Sequence, residues 1–148
     1  MHIMSASTGL PGNPPWPESR RFDSTIDFDI VLPGAAAQTW NCQTHFPNGT
    51  LPVGVAACTA PAGAVGSVAF GMEVYTGLGI RRPELSFVLG VERGVAEEQL
   101  SGEVIITAND PSESSSYLTC LGGAPFDGLR CQIGSYLSVR SELVIVGQ

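Results

Sequence analysis

Two histidines, two aspartates on one short stretch and four cysteines are the residues here whose types and spacing could do chemistry. A Ser-His-Asp hydrolase would have to use His45, because His2 lies in a Pro/Gly-rich tail, and no serine sits in a GxSxG elbow. His45, next to Phe46-Pro47, reads more simply as a loop residue. Asp27 and Asp29 are two apart, so a strand would place both carboxylates on one face. There they could ligate a hard cation or act as a carboxylate pair, but a solvated outer face explains them with fewer assumptions. Glu97-Glu98 has the same plain explanation. Gly77-Leu78-Gly79 lacks the third glycine and the following helix of a nucleotide loop, and reads as a turn. The stretch Gly122-Gly123-Ala124-Pro125-Phe126-Asp127-Gly128 could be a ligand loop, though a plain turn suffices. Nothing assembles into a catalytic set, and the expectation is a protein that is not an enzyme and uses no cofactor.

The cysteines are more informative. Cys42, Cys58, Cys120 and Cys131 allow three pairings. Each sequential pair brackets a Gly/Pro-rich stretch, so local closure is geometrically easy, and loops of that size are worth about 3 kcal/mol each in the chain-entropy account. A zinc site would prefer close CxxC pairs, which are absent, and only His45 is near a cysteine; no metal site is expected. Disulfides imply an oxidising compartment. The sequon Asn48-Gly49-Thr50, in a loop, makes Asn48 a candidate glycosylation position and agrees with secretion.

These residues must be positioned by strands. Ile26-Asp27-Phe28-Asp29-Ile30-Val31-Leu32 alternates apolar and acidic positions with period two, and Pro33-Gly34 ends it. Further candidates are Gln38 to Thr44, Val68 to Tyr75, Leu85 to Val91, Leu100 to Ala108, Tyr117 to Cys120 and Tyr136 to Val146. In the last, Ser141 breaks the apolar phase, as a bulge or a buried serine would. Only 91–100 (VERGVAEEQL) suggests a helical turn, and Gly94 weakens it. Turn clusters such as Pro47-Asn48-Gly49 and Asn109-Asp110-Pro111-Ser112 separate the runs. The fold class expected is all-β: a compact antiparallel β-barrel or β-sandwich of about seven or more strands. Residues 1–20, with Gly9, Pro11, Gly12, Pro14, Pro15 and Pro17, read as a flexible tail, whose Trp16 could still dock on the domain. Residues 21–148 read as one domain.

Composition narrows the partners. The chain has 148 residues, is 43% hydrophobic and carries a net charge of −7, with seven cations that are all arginine. That charge argues against nucleic acid, which demands a basic face. No apolar run approaches the ~20 residues of a membrane span. The pairs Arg20-Arg21 and Arg81-Arg82 fit a solvated surface, with a basic docking patch as the sharper alternative. Residues 1–16 lack the basic start and apolar stretch of a secretory leader. The cysteines favour a secreted protein whose leader has been removed.

The order of these features resembles a fungal family, the secreted Alternaria major-allergen-like proteins. Ile26-Asp27-Phe28-Asp29-Ile30 matches its early strand, Thr39-Trp40-Asn41-Cys42 and Ala56-Ala57-Cys58 the rims of its first loop. Val68-Ala69-Phe70 and Leu85-Ser86-Phe87-Val88-Leu89 match its middle strands. Tyr117-Leu118-Thr119-Cys120 with Gly128-Leu129-Arg130-Cys131 matches its closing hairpin. The resemblance covers about residues 22–146 and implies a β-barrel with bridges Cys42–Cys58 and Cys120–Cys131. It also implies secretion by a fungus and a role as allergen or effector acting on plant immunity, through a defence protein of the thaumatin-like class or a flavonoid-type ligand. The extra N-terminal cysteine that ties two chains together in some members of the family is missing among residues 1–41, so no disulfide-linked dimer is expected. A non-covalent dimer stays open.

The functional expectation is therefore occlusion of a host protein by a rigid, disulfide-braced surface, with Gly77–Arg82 and Asn109–Ser116 as candidate contact loops. The alternatives are a carrier whose cavity, lined by Phe28, Phe70, Phe87 and Val104, holds an apolar ligand, and a hydrolase built on His45 or Asp27/Asp29.

Overall fold

Alternation of the kind seen in Ile26–Leu32 builds a single twisted sheet rolled almost onto itself. The computed structural model describes residues 1–6, 17–34, 37–124 and 127–148. Its nine strands are β1 (His2–Ser5), β2 (Ser24–Leu32), β3 (Gln38–Phe46), β4 (Val55–Ala57), β5 (Ser67–Val74), β6 (Ser86–Val95), β7 (Glu98–Ala108), β8 (Ser116–Gly122) and β9 (Leu129–Ile133). Their order in the sheet is β3-β2-β1-β9-β8-β7-β6-β5-β4. The two outermost strands, β3 and β4, return to one another: Asn41 and Thr59 exchange both backbone hydrogen bonds, at 3.1 and 2.7 Å. Beside that bridge the Cys42–Cys58 disulfide joins the two edges, while Cys120–Cys131 ties β8 to β9. The chain is all-β, a nearly closed barrel with both disulfides formed.

Alternation sets the two faces. Ile26 and Phe28 of β2, Trp40, Cys42 and Phe46 of β3, Val68, Phe70 and Met72 of β5, and Phe87 and Leu89 of β6 all point inward. Their partners Asp27, Asp29, Asn41, Gln43 and Glu73 are exposed outside. Phe28 meets Phe70 edge-on, with ring centroids 4.9 Å apart, so the interior is filled by aromatic packing.

Three expectations are corrected. Residues 2–5 do not belong to a tail: β1 is inserted between β2 and β9, with Ile3 opposite Ile26 on one side and Cys131 on the other. Ile3 and Ser5 are buried, and the alternation His2-Ile3-Met4-Ser5 is itself a short strand pattern. The prolines that break pairing, Pro11, Pro14 and Pro15, and Trp16 with them, lie outside the described residues. Residues 91–100 form no helical turn. They are the β6–β7 hairpin, with Val95 paired to Glu98 across Ala96-Glu97. Ala96 takes φ 53°, the left-handed region that such tight hairpin turns require.

Tyr136–Val146 is not a strand either. Its alternation is nevertheless real: Leu143 and Ile145 pack against the core, while Val144 and Val146 are exposed. The segment lies across Gly102, where Ile145 and the Val146 carbonyl occupy the space a side chain would need. It has no continuous ladder: the Val139 N–H donates to the Ser116 carbonyl at 2.9 Å, and just past the segment Gln148 and Ser101 exchange one pair of backbone bonds.

The join between β7 and β8 depends on one side chain. These strands run parallel over only Thr107↔Ser116 and Ala108↔Leu118, with a register shift between them. Asn109, at φ 59°, extends the pairing. Its Nδ2 donates to the Cys120 carbonyl at 2.8 Å, and the Cys120 N–H donates back to Oδ1 at 2.7 Å. Cys120 is buried, so Asn109→Ala would strand its N–H and C=O. We expect a loss of about 1–3 kcal/mol by urea denaturation. Asn109→Asp, which keeps the acceptor and loses the donor, should fall between.

Candidate interaction surface

The histidines and aspartates singled out in the sequence are placed on the barrel's outside. Asp27 and Asp29 share the outer face of β2, as expected. His2 Nδ1 is 3.3 Å from Asp27 Oδ1, and Asn41 Nδ2 donates to Asp29 Oδ1 at 3.0 Å. His45 lies on the same face, opposite Thr25, while Asp27 is opposite Gln43. All three residues are exposed. Among the described residues no group of three or more His, Cys, Asp or Glu is placed to hold a metal ion.

The two arginines Arg81 and Arg82 have internal roles. Arg81 pairs with Asp110 at 3.9 Å, which ties the two candidate contact loops together. Arg82 turns inward to Glu84, whose side chain is fully buried in the 3-10 turn Pro83–Leu85 that leads into β6. Arg82 Nη2 donates to Glu84 Oε1 at 3.0 Å, the Gly49 N–H donates to the same oxygen at 2.7 Å, and Ser5 and Ser24 Oγ lie at 3.1 and 3.2 Å. Asn48 Oδ1 joins through Ser5, Ser24 and Arg82. Burial pushes the Glu84 carboxyl up, but the Arg82 hydrogen bond, backbone N–H groups including Gly49's, and the Arg82 charge outweigh it and hold the group below its ordinary value. The result is an ionised, satisfied carboxylate that pins β1, β2, the Pro47–Thr50 turn and β6 to one another. The sequon asparagine is thus anchored in a structural network. No spacing signal in the sequence joins these residues, which come from four separate segments.

A second feature lies on the outer face of β4 to β7. Gly71 of β5 sits directly opposite Gly90 of β6, and Gly90 opposite Glu103 of β7. Two adjacent outward positions therefore carry no side chain, and the sheet backbone forms the floor of a trough of about 320 Å³. Val55 and Val88 supply apolar wall, and Glu73, Glu92 and Glu103 stand around it. A second hollow continues along the face through Glu92, Gly94, Glu97 and Glu98. Five carboxylates thus line the face with no lysine or arginine among the lining residues. None of the five has an ion-pair partner among the described residues. Glycine in mid-strand weakens a sheet, and its usual return is the close approach of another backbone or ligand. At Gly71 a Cβ would lie in ordinary contact with the Gly54 carbonyl and the Val55 side chain, both at 3.5 Å, so the β4 edge walls that side of the floor, whereas at Gly90 the nearest atoms stand at 3.9 and 4.0 Å.

Period-two alternation puts Ala69, Gly71 and Glu73 on one face of β5 but assigns them no role. The trough exists only because the β5–β6 register sets Gly71 against Gly90, and register is not visible in one strand's pattern. The Asn109–Ser116 and Gly77–Arg82 loops form no part of it. The Gly122–Gly128 stretch is described except for residues 125 and 126, and Cys120–Cys131 encloses it. No protein-family model, no curated protein and no solved structure matches this chain.

Proposed function

We propose that this protein is a secreted, effector-like binding protein of the fungal kind its sequence resembles, and that it acts without catalysis by covering a cationic patch on a host plant protein. The observation that carries this reading is the glycine-floored trough with three unpaired carboxylates around it and two more along the neighbouring hollow. A basic side chain with an aliphatic stem suits it on both counts: its charge meets the carboxylates, and its methylenes meet Val55 and Val88. Two disulfides bracing a barrel fit an oxidising compartment, and no helix among the described residues is long and apolar enough to cross a membrane. The interior favours recognition from outside: Phe28, Phe70 and Phe87 are 6%, 1% and 0% exposed and fill the space a carried ligand would need.

The test is affinity capture from plant apoplastic fluid with the oxidised protein beside its Glu92→Lys/Glu103→Lys variant. The wild type should retain a basic protein that moderate salt releases, because exposed charges are screened. The variant should hold it at least about tenfold more weakly, with stability within about 0.5 kcal/mol of wild type because both positions are exposed. Equal retention by the two proteins would remove the trough from the reading.

A further inference from the structure

The two disulfides hold the barrel in unequal ways. Cys120 and Cys131 face one another in the β8–β9 ladder, with registered pairs on either side from Leu118↔Ile133 to Gly122↔Leu129. Both are buried, at 4% and 3% exposure. Cutting that bond leaves the hydrogen-bonded hairpin to hold its own strands. The Cys42–Cys58 bond has no such support. Among the described residues β3 and β4 share no ladder, and the backbone joins them only at Asn41–Thr59. Beyond that bridge the edges of β3 and the three-residue β4 run unpaired toward His45 and Val55. Cys42 is fully buried, but Cys58 is partly exposed, which makes it the sulfur a solvent reductant can reach.

We infer that Cys42–Cys58 is a thiol-operated latch on the barrel seam, opened selectively by a small dithiol or glutathione-type reductant. A thiolate attacks Cys58 Sγ and forms a mixed disulfide, and Cys42 leaves as a thiolate that takes up a proton. A second thiol of the reductant then displaces Cys58, which is also protonated. The protein gains two electrons and two protons, and the reductant ends as a disulfide. With the latch open, one bridge of two hydrogen bonds remains to hold the seam against the conformational entropy of the freed edge. The β4 segment then parts from β3, uncovering Phe28, which faces Cys42 across β2–β3, and Phe70, which faces Ala56 across β4–β5. Gly54 and Val55 also wall the trough, so opening removes one of its sides. Only this last consequence rests on the binding reading.

The experiment exposes the folded protein to graded dithiothreitol at neutral pH, quenches with iodoacetamide and maps the labelled cysteines by mass spectrometry. Cys42 and Cys58 should label at least about tenfold faster than Cys120 and Cys131, since accessible bonds exchange first. Hydrogen exchange on the same samples should show protection lost over 38–46 and 55–59 and kept in β8 and β9. Labelling of Cys120 and Cys131 first, or of all four together, overturns the latch; so does unchanged protection at the seam once Cys42 and Cys58 are alkylated. Cys120→Ser/Cys131→Ser should keep the wild-type seam protection and its dithiothreitol response. Should Cys42→Ser/Cys58→Ser fail to fold, the wild-type time course still decides. Loss of partner retention after selective opening tests the trough separately, because labelling and exchange are read without any partner.

Discussion

Glu84→Ala should cost about 3–5 kcal/mol, the range seen when one partner of a buried ion pair is removed. The variant leaves the Gly49 N–H without its acceptor and the Arg82 guanidinium without its charge partner, while Ser5, Ser24 and Arg82 keep only their contacts with one another and with Asn48 Oδ1. Against an ordinary domain stability of about 5–15 kcal/mol this is a large share. Guanidinium denaturation of wild type and variant measures it directly. The pH dependence follows from the lowered Glu84 value. A carboxyl whose folded value lies below its unfolded one binds its proton less readily when folded. Its contribution is therefore complete above the ordinary value of 4.5 and is lost as pH falls through the lower folded value. Glu84→Gln keeps the shape and removes the titration, so the acid limb of its stability profile should flatten below that pH. An acid limb identical to the wild type's would show that Glu84 does not titrate with unfolding.

Phe70→Ala should cost about 3–5 kcal/mol as well, for a different reason. Phe70 is 1% exposed and meets Phe28 edge-on, so truncation removes both its transfer energy and an aromatic contact, and leaves a void the barrel closes only in part. The same variant bears on ligand carriage. In the wild type this ring occupies the interior, and an apolar dye should find no place there. The Phe70→Ala cavity is apolar, and such cavities stay dry and take small apolar guests. Dye uptake by the variant alone is the expected result. Uptake by the wild-type protein would restore the carrier reading.

How far the sequence discloses this molecule depends on the kind of information each element carries. The alternation in Ile26–Ile30 and Val68–Met72 identifies β2 and β5 with their inward faces, because period two reports burial directly. Alternation also marks Leu143 and Ile145 as inward, but says nothing about hydrogen-bond partners, so it mistakes a covering segment for a strand. β1 is hidden by its neighbours in sequence: the prolines that follow dominate the composition of residues 1–20, while Ile3 needs only the gap between β2 and β9. The β6–β7 hairpin is masked by its exposed charged residues, Glu92, Glu97 and Glu98, which suit a helix surface equally well. The cysteines place the seam, since a bridge of Cys42 to Cys58 must bring their strands together. The Glu84 network and the trough are products of register and of contacts between distant segments. Neither leaves a local pattern to read.

The most direct test of the trough as the recognition surface is calorimetric titration of the captured partner into matched charge-reversal variants. Glu92→Lys/Glu103→Lys changes the net charge by the same amount as Glu18→Lys/Glu113→Lys, whose positions lie outside the trough lining. Recognition through the trough predicts that only the first pair weakens binding, by at least about tenfold, and that it flattens the salt dependence. Equal weakening by the two pairs would mean that the partner responds to overall charge alone, and would contradict the account.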